Sequence, residues 1–328
     1  MGEITYIFGA GASCQAMPLV SNFHSRFKTF QEFLSSKILF NQIENDCNEF
    51  ASQIKSHLSF DTFFKKLFHQ NKGREIQRFK GIMLVYFLFE QLFSYEDLLY
   101  DEEFIKKEGK EFILDPRYEA LIAGLLKPIK GRIEFYKNVN FLTWNYDVNL
   151  LLSLKNFISP KKSAIEFIDE TDKSTHFQIN EQIKVFHLNG YIAHPVLNEI
   201  GNDEKVKAFE DFLKEYDTNK LERYINNIMF AWEQDIENFT ALSEIIQNSE
   251  QVVCIGYSLP LFNRVFDTKY LNENNLRGGK ELFIQNLEIN SIRDILTTDL
   301  GVRLDVEELN VNFSMSCSSF LIPSNIFN

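Results

Sequence analysis

Thr5-Tyr6-Ile7-Phe8-Gly9-Ala10-Gly11-Ala12-Ser13 is the stretch on which the reading of this chain turns. An apolar run of strand-forming residues stops at Gly9, and two glycines and a serine follow. The pattern predicts a buried strand that ends in a tight turn and passes into a helix. Glycines there let backbone approach a phosphate closely, and N–H groups at the helix start can hold the anion. The full dinucleotide fingerprint, Gly-x-Gly-x-x-Gly, carries a third glycine that is missing here. Taken alone, the stretch fits an ordinary strand-to-helix turn equally well.

Other segments decide the matter. Val139–Thr143 returns to a strand pattern and stops at Trp144-Asn145-Tyr146-Asp147, before an apolar helical run from Val148 to Leu154. Ile183–Leu188 stops at Asn189-Gly190, and helical spacing follows from Asp203 to Asn248. Gln251–Ile255 ends at Gly256-Tyr257-Ser258, and Glu281–Ile284 ends at Gln285-Asn286. Beyond that, Asp294–Leu300 reads as helix and Val302–Phe320 as strand-like. Near-continuous apolar strands alternating with helices imply a parallel sheet covered on both faces. The expected fold class is therefore α/β, a Rossmann-like parallel sheet with helices on both faces. Ligands of such sheets bind beyond the carboxyl ends of the strands, so all five clusters should share one edge.

Between the first two strands the period changes. Phe27, Phe30, Phe33 and Leu34, then Phe60, Phe63, Phe64 and Leu67, recur at helical spacing. Residues 23–138 are expected to form an inserted α-helical subdomain, with 1–22 and 139–328 making the Rossmann-like domain. The phenylalanine stripes read as core or as a helix-packing interface. Asp115-Pro116-Arg117 reads as a break, and Pro128 as an interruption of another helix. His57 and His69 read as surface or satisfied core histidines, and His194 as a loop histidine.

Of 328 residues, 45% are hydrophobic and 24% charged, the balance of a folded protein. The net charge of −12 argues against a surface built on nucleic-acid phosphates, so direct nucleic-acid binding is not expected. The longest apolar run, Ile82–Phe89, is too short to span a bilayer, and no export leader is visible. No membrane association and a cytoplasmic location are expected. Cys14, Cys47, Cys254 and Cys317 contain no Cys-x-x-Cys pair, so neither a zinc ribbon nor a disulfide framework is expected, and no metal.

The constellation resembles the sirtuin, or silent-information-regulator, superfamily, and its prokaryotic NAD-consuming branch more than its deacetylases. Gly9-Ala10-Gly11-Ala12-Ser13 is similar to the glycine–alanine–glycine–x–serine loop of that family. Thr143-Trp144-Asn145-Tyr146-Asp147 resembles its threonine–glutamine–asparagine–x–aspartate motif. Gly256-Tyr257-Ser258-Leu259 resembles its glycine–threonine–serine–leucine turn, and Ile284-Gln285-Asn286 its strand ending in asparagine.

The resemblance implies NAD+ as substrate, with Gly9, Ala10, Gly11 and Ser13 at the pyrophosphate and Ser258 and Asn286 at the adenosine half. Thr143 and Gly256 belong to the same binding motifs. Asn145 and Asp147 would sit by the nicotinamide ribose. The implied activity is hydrolysis of the nicotinamide–ribose bond, in an NAD-depleting effector of antiphage defence. The implied partners are further copies of the chain or a separately encoded defence protein of nuclease, helicase or Argonaute type, meeting the helical segment. Peptide deacylation is disfavoured by the missing zinc ribbon. The family's catalytic histidine directly precedes a glycine, and here Asn189 holds that place, with His187 two residues back. Three readings stay open: His187 acts as base through a local bulge, Asn189 orients water or ribose while another group is the base, or the site binds NAD or ADP-ribose as a sensing or scaffold module without cleaving it.

Overall fold

A computed structural model describes residues 2–36, 41–57, 59–93, 113–129, 132–173, 176–200, 203–216, 220–233, 240–276, 278–304 and 309–327. In chain order the strands are β1 (Glu3–Phe8), β2 (Leu126–Ile129), β3 (Arg132–Phe135), β4 (Asn138–Thr143), β5 (Asp172–Lys173), β6 (His176–Gln178), β7 (Ile183–His187), β8 (Ser249–Ile255), β9 (Lys280–Gln285) and β10 (Leu309–Ser314). The main sheet has eight strands in the order β10-β9-β8-β1-β4-β7-β6-β5. From β10 to β7 every pairing is parallel, and the two short strands β6 and β5 continue it antiparallel. The five strands expected from sequence are its centre. Of the strand-like tail, β10 joins as a sixth parallel strand.

Helices precede β2: α1 (Phe23–Ser35), α2 (Asn41–Ile54), α3 (Phe60–His69), α4 (Gly73–Leu92) and α5 (Pro116–Leu125). Later come α6 (Asn149–Ile158), α7 (Ala164–Thr171), α8 (Lys205–Tyr216), α9 (Glu222–Ile225), α10 (Thr240–Asn248), α11 (Arg264–Tyr270), α12 (Glu273–Leu276) and α13 (Ile289–Thr298). Two local expectations shift. The Asp115-Pro116 break is a helix start, because the Asp115 carboxylate accepts the Arg117 N–H and Pro116 takes the first turn, where a missing N–H costs nothing. Pro128 lies in β2, which pairs with β3 in a two-stranded hairpin.

Alternation along the strands sends successive side chains to opposite faces. Tyr6, Phe8, Phe141, Val185, Val253 and Ile255 face one core, shared with α1–α6 and α8. Ile7, Leu142, Phe186, Val252, Cys254 and Ile284 face a second core with α10–α13. The phenylalanine stripes point inward: Phe27, Phe30, Phe50, Phe63, Phe64, Phe79 and Phe89 are all fully buried, with ring centroids such as Phe27–Phe50 at 5.5 Å and Phe50–Phe79 at 5.3 Å. Each such side chain stabilises the fold by about 1.5–3 kcal/mol. The helical segment is thus continuous with the sheet's own core, and these rings are spent on packing instead of being displayed.

Candidate functional site

The two glycine turns are built against each other. Gly9 donates its N–H to the Ile255 carbonyl (3.0 Å) and Gly11 to the Gly256 carbonyl (3.1 Å). Gly256 has φ +59, and a Cβ there would lie 2.4 Å from Ala12 N and 2.5 Å from Gly11 C. A Cβ on Gly9 would lie 2.6 Å from the Gly256 carbonyl oxygen. These contacts are backbone on backbone, so only glycine lets the ends of β1 and β8 close together. Ala12 N–H returns to the Gly9 carbonyl at 2.9 Å, making Ala10–Ser13 a single 3-10 turn. Three N–H groups of this loop are therefore already bonded within the protein.

Beneath the loop lies a buried polar knot. Asn145 donates its side-chain N–H groups to the Gly9 carbonyl (3.0 Å) and the Ser13 hydroxyl (3.0 Å). Ser13 Oγ also lies 3.1 Å from Tyr118 Oη. Thr143 Oγ1 accepts the Asn145 N–H at 3.1 Å and so shapes the turn. Asp147 Oδ1 accepts the Asn149 N–H (3.0 Å) and amide (2.6 Å), holding the turn that leads into α6. Burial pushes the Asp147 carboxyl up, against the hydrogen bonds of Asn149 and Ser13, which favour its charge. Burial, and then the Asp147 charge, hold the Tyr118 hydroxyl protonated.

A buried ion pair locks this knot. Arg117 meets Asp115 through Nε (2.8 Å) and Nη2 (2.6 Å), and both are almost wholly buried. Asp115 Oδ2 accepts the Gln15 N–H, while Arg117 Nη2 donates to the Ala12 carbonyl at 3.1 Å. Arg117 Nη1 reaches the Cys317 carbonyl at 3.1 Å, and its guanidinium sits 4.8 Å over the Phe320 ring. Burial alone would lower the Arg117 pKa; the Asp115 hydrogen bonds and charge outweigh that and raise it. The pair fixes α5, the glycine loop and the chain after β10 to one another.

His187 faces the same side of the sheet as Val185. Its ring lies 5.4 Å from Phe177 and 5.5 Å from Tyr191, and neither ring nitrogen has a hydrogen-bond partner. Burial drives its pKa down to about 4, against small opposing contributions from the Asn145 and Gly190 backbone, so the imidazole is neutral at pH 7. Asn189 donates to the Trp144 carbonyl at 3.0 Å and leaves its own Oδ1 buried without a partner. Gly190 has φ +72, and a Cβ there would meet the Asn227 carbonyl oxygen at 1.7 Å. His194, expected as a loop histidine, caps the 3-10 turn Pro195–Glu199 and faces Glu215 at 3.5 Å.

Ala10, Ser258 and Asn286 form an outer rim. Ala10 and Ser258 are exposed, and Gly256 and Asn286 are half-buried. Asn286 donates to the Tyr257 carbonyl at 3.2 Å, tying the β9 end to the β8 turn. Tyr257 donates to Asp267 Oδ1 at 2.7 Å, and burial raises that carboxyl to about 7.

The expected site residues thus divide. Ser13, Thr143, Asn145 and Asp147 share one buried turn system; His187 and Asn189 lie at the neighbouring β7 end; Gly9, Gly11 and Gly256 join the first group to the rim. Ser13, Thr143, Asn145, Asp147, His187 and Asn189 are each at most 8% exposed, so in this conformation the inner residues are closed over. Sequence reasoning passed over Asp115, Arg117 and Tyr118. The Asp-Pro-Arg signal marks a helix cap; its contacts with a loop about a hundred residues earlier leave no local trace. Among the described residues, no three His, Cys, Asp or Glu side chains gather as metal ligands, and no helix is long and apolar enough to cross a membrane. No protein-family model matches the chain, and no curated protein sequence matches it as a relative.

Proposed function

We propose that this chain is an NAD+ glycohydrolase, an NAD-depleting effector of antiphage defence. In this reading it is a Rossmann-like sirtuin relative without a zinc ribbon, with residues 23–138 as a helical insertion beside the site. One observation carries the proposal. The Asn145 amide bridges two chain segments by bonding the Gly9 carbonyl and the Ser13 hydroxyl at 3.0 Å each, at the carboxyl edge of a parallel sheet. That is where such sheets take a nucleotide.

Cleavage breaks the bond between ribose C1′ and the nicotinamide nitrogen. The bonding electrons pass to the positively charged ring, which leaves neutral, and C1′ becomes oxocarbenium-like, as in glycoside hydrolysis. A water oxygen then bonds to C1′ and gives up its proton. The leaving group needs no acid, so orientation and charge stabilisation carry most of the barrier lowering. Asn145 orients the ribose and the water. Asp147 supports the turn and the developing positive charge. His187, neutral at pH 7 with both nitrogens unpartnered, supplies a proton acceptor. Of the rim residues, Ala10 meets the pyrophosphate and Ser258 and Asn286 meet the adenosine half. Entry of NAD requires the closed inner residues to part. Assembly with further copies or a defence partner (nuclease, helicase or Argonaute type) would supply that trigger.

The burial of His187 between Phe177 and Tyr191 favours a second reading, an NAD- or ADP-ribose-binding module without chemistry. Separation of nicotinamide and ADP-ribose after incubation with NAD distinguishes the two, with wild type beside Asn145→Ala, His187→Ala and Asn189→Ala. Turnover abolished by Asn145→Ala and by His187→Ala supports hydrolysis with His187 as base. Turnover that survives His187→Ala but not Asn189→Ala moves the chemistry to the asparagine. Saturable binding with no turnover in any assembly state supports the binding module, and absence of both removes the NAD assignment.

A further inference from the structure

Arg117 bonds the Cys14 thiol and the Cys317 backbone carbonyl. Cys14 directly follows the 3-10 turn of the glycine loop, and its Sγ accepts a hydrogen bond from Arg117 Nη2 at 3.3 Å. Cys317 lies in the segment after β10; its backbone carbonyl accepts from Nη1 of the same guanidinium at 3.1 Å, and its thiol donates to the Met315 carbonyl at 3.6 Å. One planar guanidinium therefore spans both residues, although they stand some three hundred positions apart in the chain.

The segment carrying Cys317 is a strap laid over the strand ends. Gln285, the last residue of β9, donates its amide to the Ser316 and Ser319 carbonyls and accepts the Leu321 N–H at 2.9 Å. Phe320 then packs on Phe8 at 5.7 Å and Tyr118 at 5.0 Å. The strap thus crosses from the β10 edge back to β1 and brings Cys317 toward the glycine loop.

The four thiols differ sharply in access. Cys14 is exposed and Cys317 half-exposed, whereas Cys47 and Cys254 are buried. Burial raises the Cys47 thiol well above its ordinary range and the Cys254 thiol to about 12, so both stay protonated and inert. Oxidative chemistry is directed to the pair at Arg117 by access alone.

We propose that Cys14 and Cys317 form a redox-active thiol pair that closes into a disulfide under peroxide and fastens the strap to the glycine loop. The Cys14 sulfur attacks hydrogen peroxide, the O–O bond breaks, and Cys14 becomes a sulfenic acid with release of water. The Cys317 sulfur then attacks the Cys14 sulfur, the S–S bond forms, the S–O bond breaks, and a second water leaves. Peroxide is reduced by two electrons and two thiols are oxidised. A disulfide needs Cα atoms roughly 4.4–6.8 Å apart, and forming it requires the Cys317 thiol to leave the Met315 carbonyl and turn to Cys14. Transient redox-sensing bridges of this kind also occur in proteins of reducing compartments.

Peptide mapping of the full-length chain tests the pair without reference to NAD. The protein is treated with hydrogen peroxide, free thiols are alkylated, and the digest is analysed without reductant. The expected result is a peptide joining Cys14 to Cys317, lighter by two hydrogens than the separate peptides and lost on reduction. Cys317→Ser should instead leave a Cys14 sulfenic acid that a dimedone probe traps, and Cys14→Ser should abolish the joined peptide. Oxidation of Cys14 without a link to Cys317 overturns the proposal. So does a link only between two chains, or survival of both thiols. The readout is mass, so the thiol pair and the NAD reading stand or fall separately.

Discussion

Replacing Gly256 by alanine tests the central contact of the site, the seating of one glycine turn on the other. At φ +59 the residue occupies the left-handed region, where a Cβ costs about 1–2 kcal/mol. The added carbon would also lie 2.4 Å from Ala12 N, 2.5 Å from Gly11 C and 2.7 Å from Gly11 Cα. All three are backbone atoms, so no side chain can swing away and the turns themselves must part. Overpacking of this kind costs about 1–3 kcal/mol more. Gly256→Ala is therefore expected to lose about 2–5 kcal/mol, summing the two contributions. Gly301 supplies the control: its φ is +65, and a Cβ there meets nothing within 4 Å. Gly301→Ala should lose only the conformational part, about 1–2 kcal/mol. Urea denaturation of both variants at one pH, with equal m-values, isolates the contact as the difference. Equal losses, or a Gly256→Ala protein within about 0.5 kcal/mol of wild type, would refute the reasoning, since surface-like tolerance is incompatible with closed backbone packing.

Two further outcomes follow from the buried charges and the buried imidazole. His187→Phe keeps a ring between Phe177 and Tyr191 but removes a group that unfolding would allow to protonate. With its folded pKa near 4 against 6.5 when unfolded, His187 favours the folded state less as pH falls through that window, and the loss is complete below pH 4. The difference is worth about 3 kcal/mol, so the unfolding free energy of wild type, from urea titrations, should fall by that much relative to His187→Phe between pH 7 and pH 4. Parallel pH profiles would sink the claim. Arg117→Ala and Asp115→Ala should each cost about 3–5 kcal/mol, because each leaves a buried charge without its partner. The double variant should cost clearly less than their sum; strict additivity in a double-mutant cycle would show that the pair does not act as a unit.

The sequence alone determined the sheet and the edge at which its strands end, for a local reason. A strand buried on both faces must be apolar along its whole length, and the turn that ends it must be small or polar. Thr5–Phe8, Val139–Thr143, Ile183–Leu188, Gln251–Ile255 and Glu281–Ile284 follow that rule nearly throughout, with single polar residues such as Asn140 and Lys184, and each pairs in parallel. Helical spacing likewise marked the phenylalanines of α1 and α3 as core or helix-packing interface, since side chains three and four apart share a face. Within the helical run expected over 203–248 the structure gives α8, α9 and α10, with 217–219 and 234–239 outside the described residues.

Only the tertiary structure decided what the turns do with their polar groups. Spacing shows Gly9, Gly11 and Gly256 as permissive positions; it does not show that they are pressed against one another, with N–H groups already bonded. Asp147 reads from sequence as a site residue, and its bonds to Asn149 tie it to the first residue of α6 while Ser13 draws it into the knot. Asp115, Arg117 and Tyr118 carry no motif, yet they hold the glycine loop, because partners a hundred residues apart are chosen by how layers stack. The burial of His187 was equally invisible. Strand alternation fixes the face to which it points, but the rings of Phe177 and Tyr191 that desolvate it come from a neighbouring strand and loop, and only packing brings them there.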